Sequence, residues 1–246
     1  MIVKSSGQQT ASRTPFLATW AAALISILIY LTDRLFLAQG LDLSFYNSLL
    51  IAAFVVCLLL FLTSTVKPME YLGLIVLPVT MICLGLNIFL LKPGTPLTLS
   101  TGIQTHIISS IIAFSILCLA AVQAILLLLQ ERKLKHHTAP GILRALPSLH
   151  ENETILFQFI GLGVLVLSIA LASGFIYLDD IFAQHLVHKT TLSVLAWIIF
   201  VILLWGRIQF GWRGPTAVRW TLGGFSFLIL AYFGSKFVLE LILYRV

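Results

Sequence analysis

The sequence predicts an all-α protein, a polytopic transmembrane helix bundle of about seven spans in a single domain, with its N-terminus cytoplasmic. Three observations lead there. Of 246 residues, 59% are hydrophobic and 10% charged, against roughly 25% charged in a soluble domain, so too little polar side chain is present to cover a water-facing surface. Seven apolar runs approach the roughly 20 residues that cross hydrocarbon. Lysine and arginine gather in alternate links between those runs. The net charge of +6 is therefore read as the basic bias of cytoplasmic loops. The expected environment is a lipid bilayer, and no nucleic-acid partner is implied.

The runs occupy about 15–31, 43–66, 71–91, 103–129, 155–178, 186–205 and 220–243. The first is short before Asp33-Arg34 and has the length of a signal peptide. It continues into Leu35-Phe36-Leu37, and Ala38-Gln39-Gly40 is a weak cleavage site, so a retained helix is expected. In the third run, Pro78 is expected to kink the helix. The link 130–153 carries Arg132, Lys133, Lys135 and Arg144, and Gly141 to Leu149 reads as a short interfacial helix. Asn152-Glu153, before an apolar stretch, reads as a helix start. Ala170 and Gly174 are spaced for close helix contact, which is ordinary packing. Arg207, Arg213 and Arg219 lie in the link before the last run, where Trp205, Phe210 and Trp212 form an interfacial belt.

Seven spans with both basic links inside place ten of the fifteen Lys and Arg on the cytoplasmic side. The segments 38–43, 92–102 and 179–189 then face outward, which in a bacterial inner membrane is the periplasmic side. Cys57, Cys83 and Cys118 each lie within an apolar run and form no CxxC or CxxCH, so zinc sites and covalent haem attachment are not indicated. No nucleophile triad, phosphate loop or carboxylate-rich metal site is present. A binding or handling role is therefore expected rather than catalysis.

Ionisable side chains at membrane depth are costly and tend to mark function. His106 begins the fourth run, with Ser109 and Ser110 on its side of the helix, and His188 begins the sixth. Alternating spans bring both to the outer leaflet. A single histidine at a helix end ordinarily serves as an interfacial hydrogen-bonding group. Two on one face suit axial ligation of a haem iron, each ring offering one nitrogen while the other is held by a hydrogen bond. His185, three residues before His188, is an alternative ligand or a water-exposed residue. His136, His137 and His150 in the basic link read as solvated.

Lys236 and Glu240 lie four apart in the last run, one turn beyond Tyr232. Two roles are open to them: a structural ion pair, or contact with an anionic ligand group by Lys236 (or Lys189) while Glu240 orients a histidine. Asp179-Asp180 would cap the sixth helix; the alternative is that one of them accepts a hydrogen bond from His185 or His188.

The stretch HIISSIIAFSILCLAAVQAILLLLQERKLK from His106, the stretch GFIYLDDIFAQHLVHKTTLSVLAWIIFVILLWGR from Gly174, and GWRGPTAVRWTLGGFSFLILAYFGSKFVLE together resemble the cytochrome c assembly superfamily. Within it they are most similar to the short branch of YpjD-like and HemX-like inner-membrane proteins. The resemblance covers about 100–246 well and the first helices weakly. It implies a membrane protein that binds haem b non-covalently and assists cytochrome c assembly, with other assembly components as partners. His106 corresponds to the external histidine that is an axial ligand in haem-handling members. This chain departs from the pattern elsewhere. The loop 174–189 has Phe175, Tyr177 and Phe182 but no tryptophan, Trp205 stands near the membrane-buried histidine position, and Leu243 stands near the second external one. His188 is then the candidate replacement. The competing expectation is a membrane scaffold or regulator with a degenerate haem site, acting through protein partners. A small-solute permease built on Lys236 and Glu240 ranks lower, because no internal repeat supports it.

Overall fold

The computed structural model describes residues 6–37, 40–67, 69–90, 101–135, 147–177 and 184–234. Among the described residues, seven helical stretches, counting the short turns that flank two of them, are long and apolar enough to cross a membrane. Their α-helices are α1 (Ser6–Leu35), α2 (Phe45–Val66), α3 (Gly73–Leu90), α4 (Thr101–Lys135), α5 (Leu149–Tyr177), α6 (Gln184–Phe210) and α7 (Gly214–Ile229). The all-α membrane fold read from the sequence is thus the observed one, and the protein is a multi-pass membrane protein. Backbone hydrogen bonds satisfied within each segment are what hydrocarbon demands.

Several boundaries differ from the apolar runs, each for a local reason. Phe36–Leu37 does not extend α1; it pairs antiparallel with Gly40–Leu41. Helix α3 is entered through a single 3-10 turn, Glu70–Leu72, and continues through Pro78. Helix α5 starts at Leu149 rather than Asn152. Ser148 caps it reciprocally with Glu151: the Glu151 N–H donates to Ser148 Oγ at 3.3 Å, and the Ser148 N–H donates to the Glu151 carboxylate at 3.1 Å. Helix α7 starts at Gly214, so Arg219 is helical and the expected basic link shrinks to a turn. Gly211 and Gly214 supply its positive φ values, 63° and 49°, and Pro215 opens the helix. The helix ends in a π-helical turn, Leu230–Gly234. Of the interfacial helix expected over 141–149, only Pro147, Ser148 and Leu149 are described: Pro147 and Ser148 are not helical, and Leu149 opens α5. The Asp179-Asp180 cap falls outside the described residues.

The chain divides into two compact units, Met1–Pro96 and Leu97–Val246. In the first, α2 packs between α1 and α3. Trp20 of α1 is buried against Phe61, with its indole N–H 3.1 Å from Cys57 Sγ. One end is tied by Arg13, which pairs with Glu70 at 2.5 Å and also donates to the Ser64 carbonyl. The other end holds a polar string: Tyr30 Oη donates to Asn87 Oδ1 (2.8 Å), Asn87 Nδ2 to Asn47 Oδ1 (2.9 Å), and Asn47 Nδ2 to the Asp42 carbonyl (3.2 Å). Both asparagines are fully buried, so each needs such a partner.

In the second unit α4 is the central helix. Ala113, Leu117, Ala120 and Ala124 are completely buried along it. Its most extensive partner is α5; it also meets α7, and α6 closes the ring by packing on α5 and α7. Small residues set the α4–α5 distance. A Cβ on Gly163 would lie 2.6 Å from Leu117 Cγ and Cδ2.

Candidate functional site

The close approach of α4 and α5 creates a lodging for His106. Its ring lies against Gly174, where an added Cβ would sit 2.9 Å from Cε1 and 3.1 Å from Nδ1. Nδ1 is 2.8 Å from the carbonyl oxygen of Ala170, one turn earlier on α5. A carbonyl can only accept, so Nδ1 carries a proton, and in the neutral ring Nε2 is then the nitrogen with the lone pair. Ser173 also donates to the Ala170 carbonyl (2.9 Å), and its hydroxyl lies 3.4 Å from Nδ1. The ring is thus oriented through one nitrogen while the other, on a half-buried side chain, makes no hydrogen bond among the described residues. This is the arrangement by which proteins present a histidine to a metal.

The spacing of Ala170 and Gly174, read from sequence as packing alone, therefore has a second consequence. Gly174 leaves room for the imidazole and Ala170 supplies its acceptor. The signal was an A-x-x-S-G segment on the helix following a histidine-bearing one, and it cannot be decoded without knowing which faces meet.

Tyr177 makes the reciprocal contact. Its ring lies over Gly102, at a distance closer than any Cβ there would tolerate. Gly102 is four residues before His106, and Tyr177 is three after Gly174. Each helix thus presses one ring onto the other's glycine.

The remaining candidates are placed as follows. His188 is on the second turn of α6 and exposed; among the described residues it makes no hydrogen bond or ion pair. Helices α4 and α6 occupy opposite corners of the ring, and the described contacts of His106 are with α5, not with His188. His185 lies in the first turn of α6, and its side chain is outside the description. Lys189 is half-buried. Lys236 and Glu240 lie outside the described residues. No cluster of three or more His, Cys, Asp or Glu is found among the described residues.

A polar core that the sequence reading did not find lies at the other end of the same unit. Gln123 Nε2 donates to the Asn152 side chain (3.0 Å), and Asn152 Nδ2 donates to Gln130 Oε1 (2.7 Å). Glu153 Oε1 accepts from Arg207 (3.1 Å) and from the Gly214 N–H (3.4 Å), while Arg213 stands 3.9 Å from Oε2. Arg207 also lies 4.6 Å over the Phe157 ring and donates to the Trp212 carbonyl. Trp212 in turn rests on Gly206. The expected interfacial belt is therefore also a clamp joining α5, α6 and α7.

With this geometry in view, comparison with known proteins is decisive. The family model described as Cytochrome C assembly protein matches residues 16–243. The chain belongs to the cytochrome c assembly family. Inner membrane protein YpjD of Escherichia coli K12 is 33% identical over 148 residues, 60% of this chain and 56% of that protein. Protein HemX of Brevibacillus brevis is 25% identical over 62% of this chain and 58% of its own length. Cytochrome c biogenesis protein CcsA of Chlamydomonas reinhardtii is 24% identical over 61% and 42%, respectively. The chain spans about half the length of these curated relatives. No solved structure matches. The one described side chain of this seam whose geometry fits a nitrogen ligand is His106, an imidazole held by its Nδ1–H in a cradle that a Cβ would fill.

Proposed function

We propose that this protein binds haem b non-covalently at the outer face of a bacterial inner membrane and assists cytochrome c assembly there, as a handling protein rather than an enzyme. The observation that carries the reading is the His106 Nδ1–H to Ala170 carbonyl bond, which leaves Nε2 as a nitrogen ligand. Family membership supplies the biological setting. The orientation rests on the basic residues beyond α4 and around the α6–α7 turn. Bound haem would supply an iron centre that accepts a nitrogen ligand and can move between ferrous and ferric states. His106 would hold it, His188 is the proposed second ligand, and His185 is the alternative. Lys189, Lys236 and Glu240 remain the proposed contacts to its carboxylates or to a ligating histidine.

A second reading is kept because of one observation: His188 is exposed on a helix diagonal to α4. In that reading the chain is a scaffold or regulator with a degenerate site, and protein partners carry its role. The test is the visible spectrum, oxidised and reduced, of protein purified in mild detergent after expression with ample haem. A Soret band lost in His106→Ala is expected. Six-coordinate low-spin features lost in His188→Ala would place the second ligand. A wild-type protein without a Soret band rejects the haem reading and leaves the scaffold.

A further inference from the structure

Resting on the haem reading, we infer that Tyr177 is a ligand-binding residue whose phenol donates a hydrogen bond to a carboxylate on the haem edge. Three observations converge on it. The last described contact of the α4–α5 seam is between Gly102 and Tyr177, and the sequence turns polar just beyond both, at Lys92 to Thr101 and at Asp179-Asp180, which puts this pair toward the aqueous end of the two apolar spans. An amphipathic macrocycle held at His106 turns its carboxylates toward that end, because ionised groups are costly inside hydrocarbon.

The second observation is direction. Side chains on a helix lean toward its N-terminus. His106 therefore leans toward the start of α4, and Tyr177 leans back toward the start of α5. The two helices run antiparallel, so the rings lean toward one another along a single seam. Gly102 and Gly174 hold them there, since a Cβ at either glycine would collide with the ring above it.

The third observation is the phenol itself. Tyr177 is 49% exposed and forms no hydrogen bond among the described residues. Packing on Gly102 needs only the ring, and phenylalanine would serve that purpose equally. A tyrosine at the wet end of an apolar contact pairs an apolar body with a polar tip. The residue type is thus suited to a ligand that is flat and apolar in its middle and anionic at one edge.

The experiment is a titration of detergent-solubilised full-length protein with haemin and with haemin dimethyl ester, followed by the Soret band, for wild type, Tyr177→Phe, Tyr177→Ala and His106→Ala. Tyr177→Phe keeps the ring on Gly102 and removes only the donor. Haemin affinity is expected to fall about tenfold or more in Tyr177→Phe, as for loss of a hydrogen bond to a charged group. Affinity for the ester should be the same in wild type and Tyr177→Phe. Equal haemin affinities in wild type and Tyr177→Phe, with His106→Ala still defective, overturn this inference and leave the haem reading standing. Equal losses for haemin and ester in Tyr177→Phe and Tyr177→Ala assign the residue a purely structural role and likewise overturn it. Failure of wild type to bind haemin at all overturns both.

Discussion

Gly174→Ala is the sharpest probe of the His106 lodging. The added methyl would sit 2.9 Å from Cε1 and 3.1 Å from Nδ1, where carbon atoms settle at about 3.5–4.0 Å. The imidazole must withdraw by roughly 0.5–1 Å. Its Nδ1–H···O bond starts at 2.8 Å, so that movement takes it to the edge of, or beyond, the hydrogen-bonding range. Losing the bond costs about 0.5–1.5 kcal/mol directly. Losing the orienting partner of a metal-bound histidine lowers affinity by about 10–100-fold. Haemin titration should therefore show a drop within that range, with the family fold intact by thermal unfolding. Gly161→Ala on the same helix is the control, because nothing lies within 4 Å of its new Cβ. It should bind haemin as wild type does and be slightly more stable, since Ala is favoured over Gly in a helix by about 1 kcal/mol. If Gly174→Ala binds haemin as tightly as Gly161→Ala, the lodging does not prepare His106 for a ligand.

Three other outcomes are expected. Glu153→Gln leaves Arg207 without its carboxylate and should destabilise the second unit by about 3 kcal/mol, read as a lowered midpoint of unfolding in detergent; an unchanged midpoint would remove the clamp described above. Asn87→Ala breaks two links of the buried string in the first unit and should cost about 0.6–2 kcal/mol in the same assay, without changing haemin affinity. Ser173→Ala removes a competing donor to the Ala170 carbonyl while leaving Gly174 clear. Haemin affinity should be retained within roughly threefold, and a loss as large as that in Gly174→Ala would mean that the serine, not the carbonyl, holds the ring.

Hydropathy made the seven helices legible, because the bilayer imposes one length and one composition on anything that crosses it. Boundaries were less legible where polar residues belong to the helix. The Ser148–Glu151 cap and the Gly214-Pro215 start carry recognisable local chemistry, but both precede the apolar runs. His106 could be singled out because an imidazole near hydrocarbon stands out against Ile and Leu. Its acceptor could not, since a backbone carbonyl has no letter of its own and Gly174 reads like any small packing residue. Gln123, Gln130 and Asn152 escaped notice for a related reason: which polar side chains of an apolar helix turn inward depends on which neighbours it meets. The pairing of His106 with His188 came from topology alone, which fixes a membrane side but not a corner of a bundle.

The exchange of rings between α4 and α5 has a consequence for the bundle as a machine. Ala170, Gly174 and Tyr177 share one face of α5, and turning that helix by a single residue, about 100°, would carry the carbonyl, the recess and the phenol away together. His106 is thus a gauge of the rotational register of α5. Anything that binds only when the gauge is set also holds the register by mass action, adding about 2.7 kcal/mol at a hundred times its dissociation constant. Cargo and helix pairing then stabilise each other, and releasing the first loosens the second.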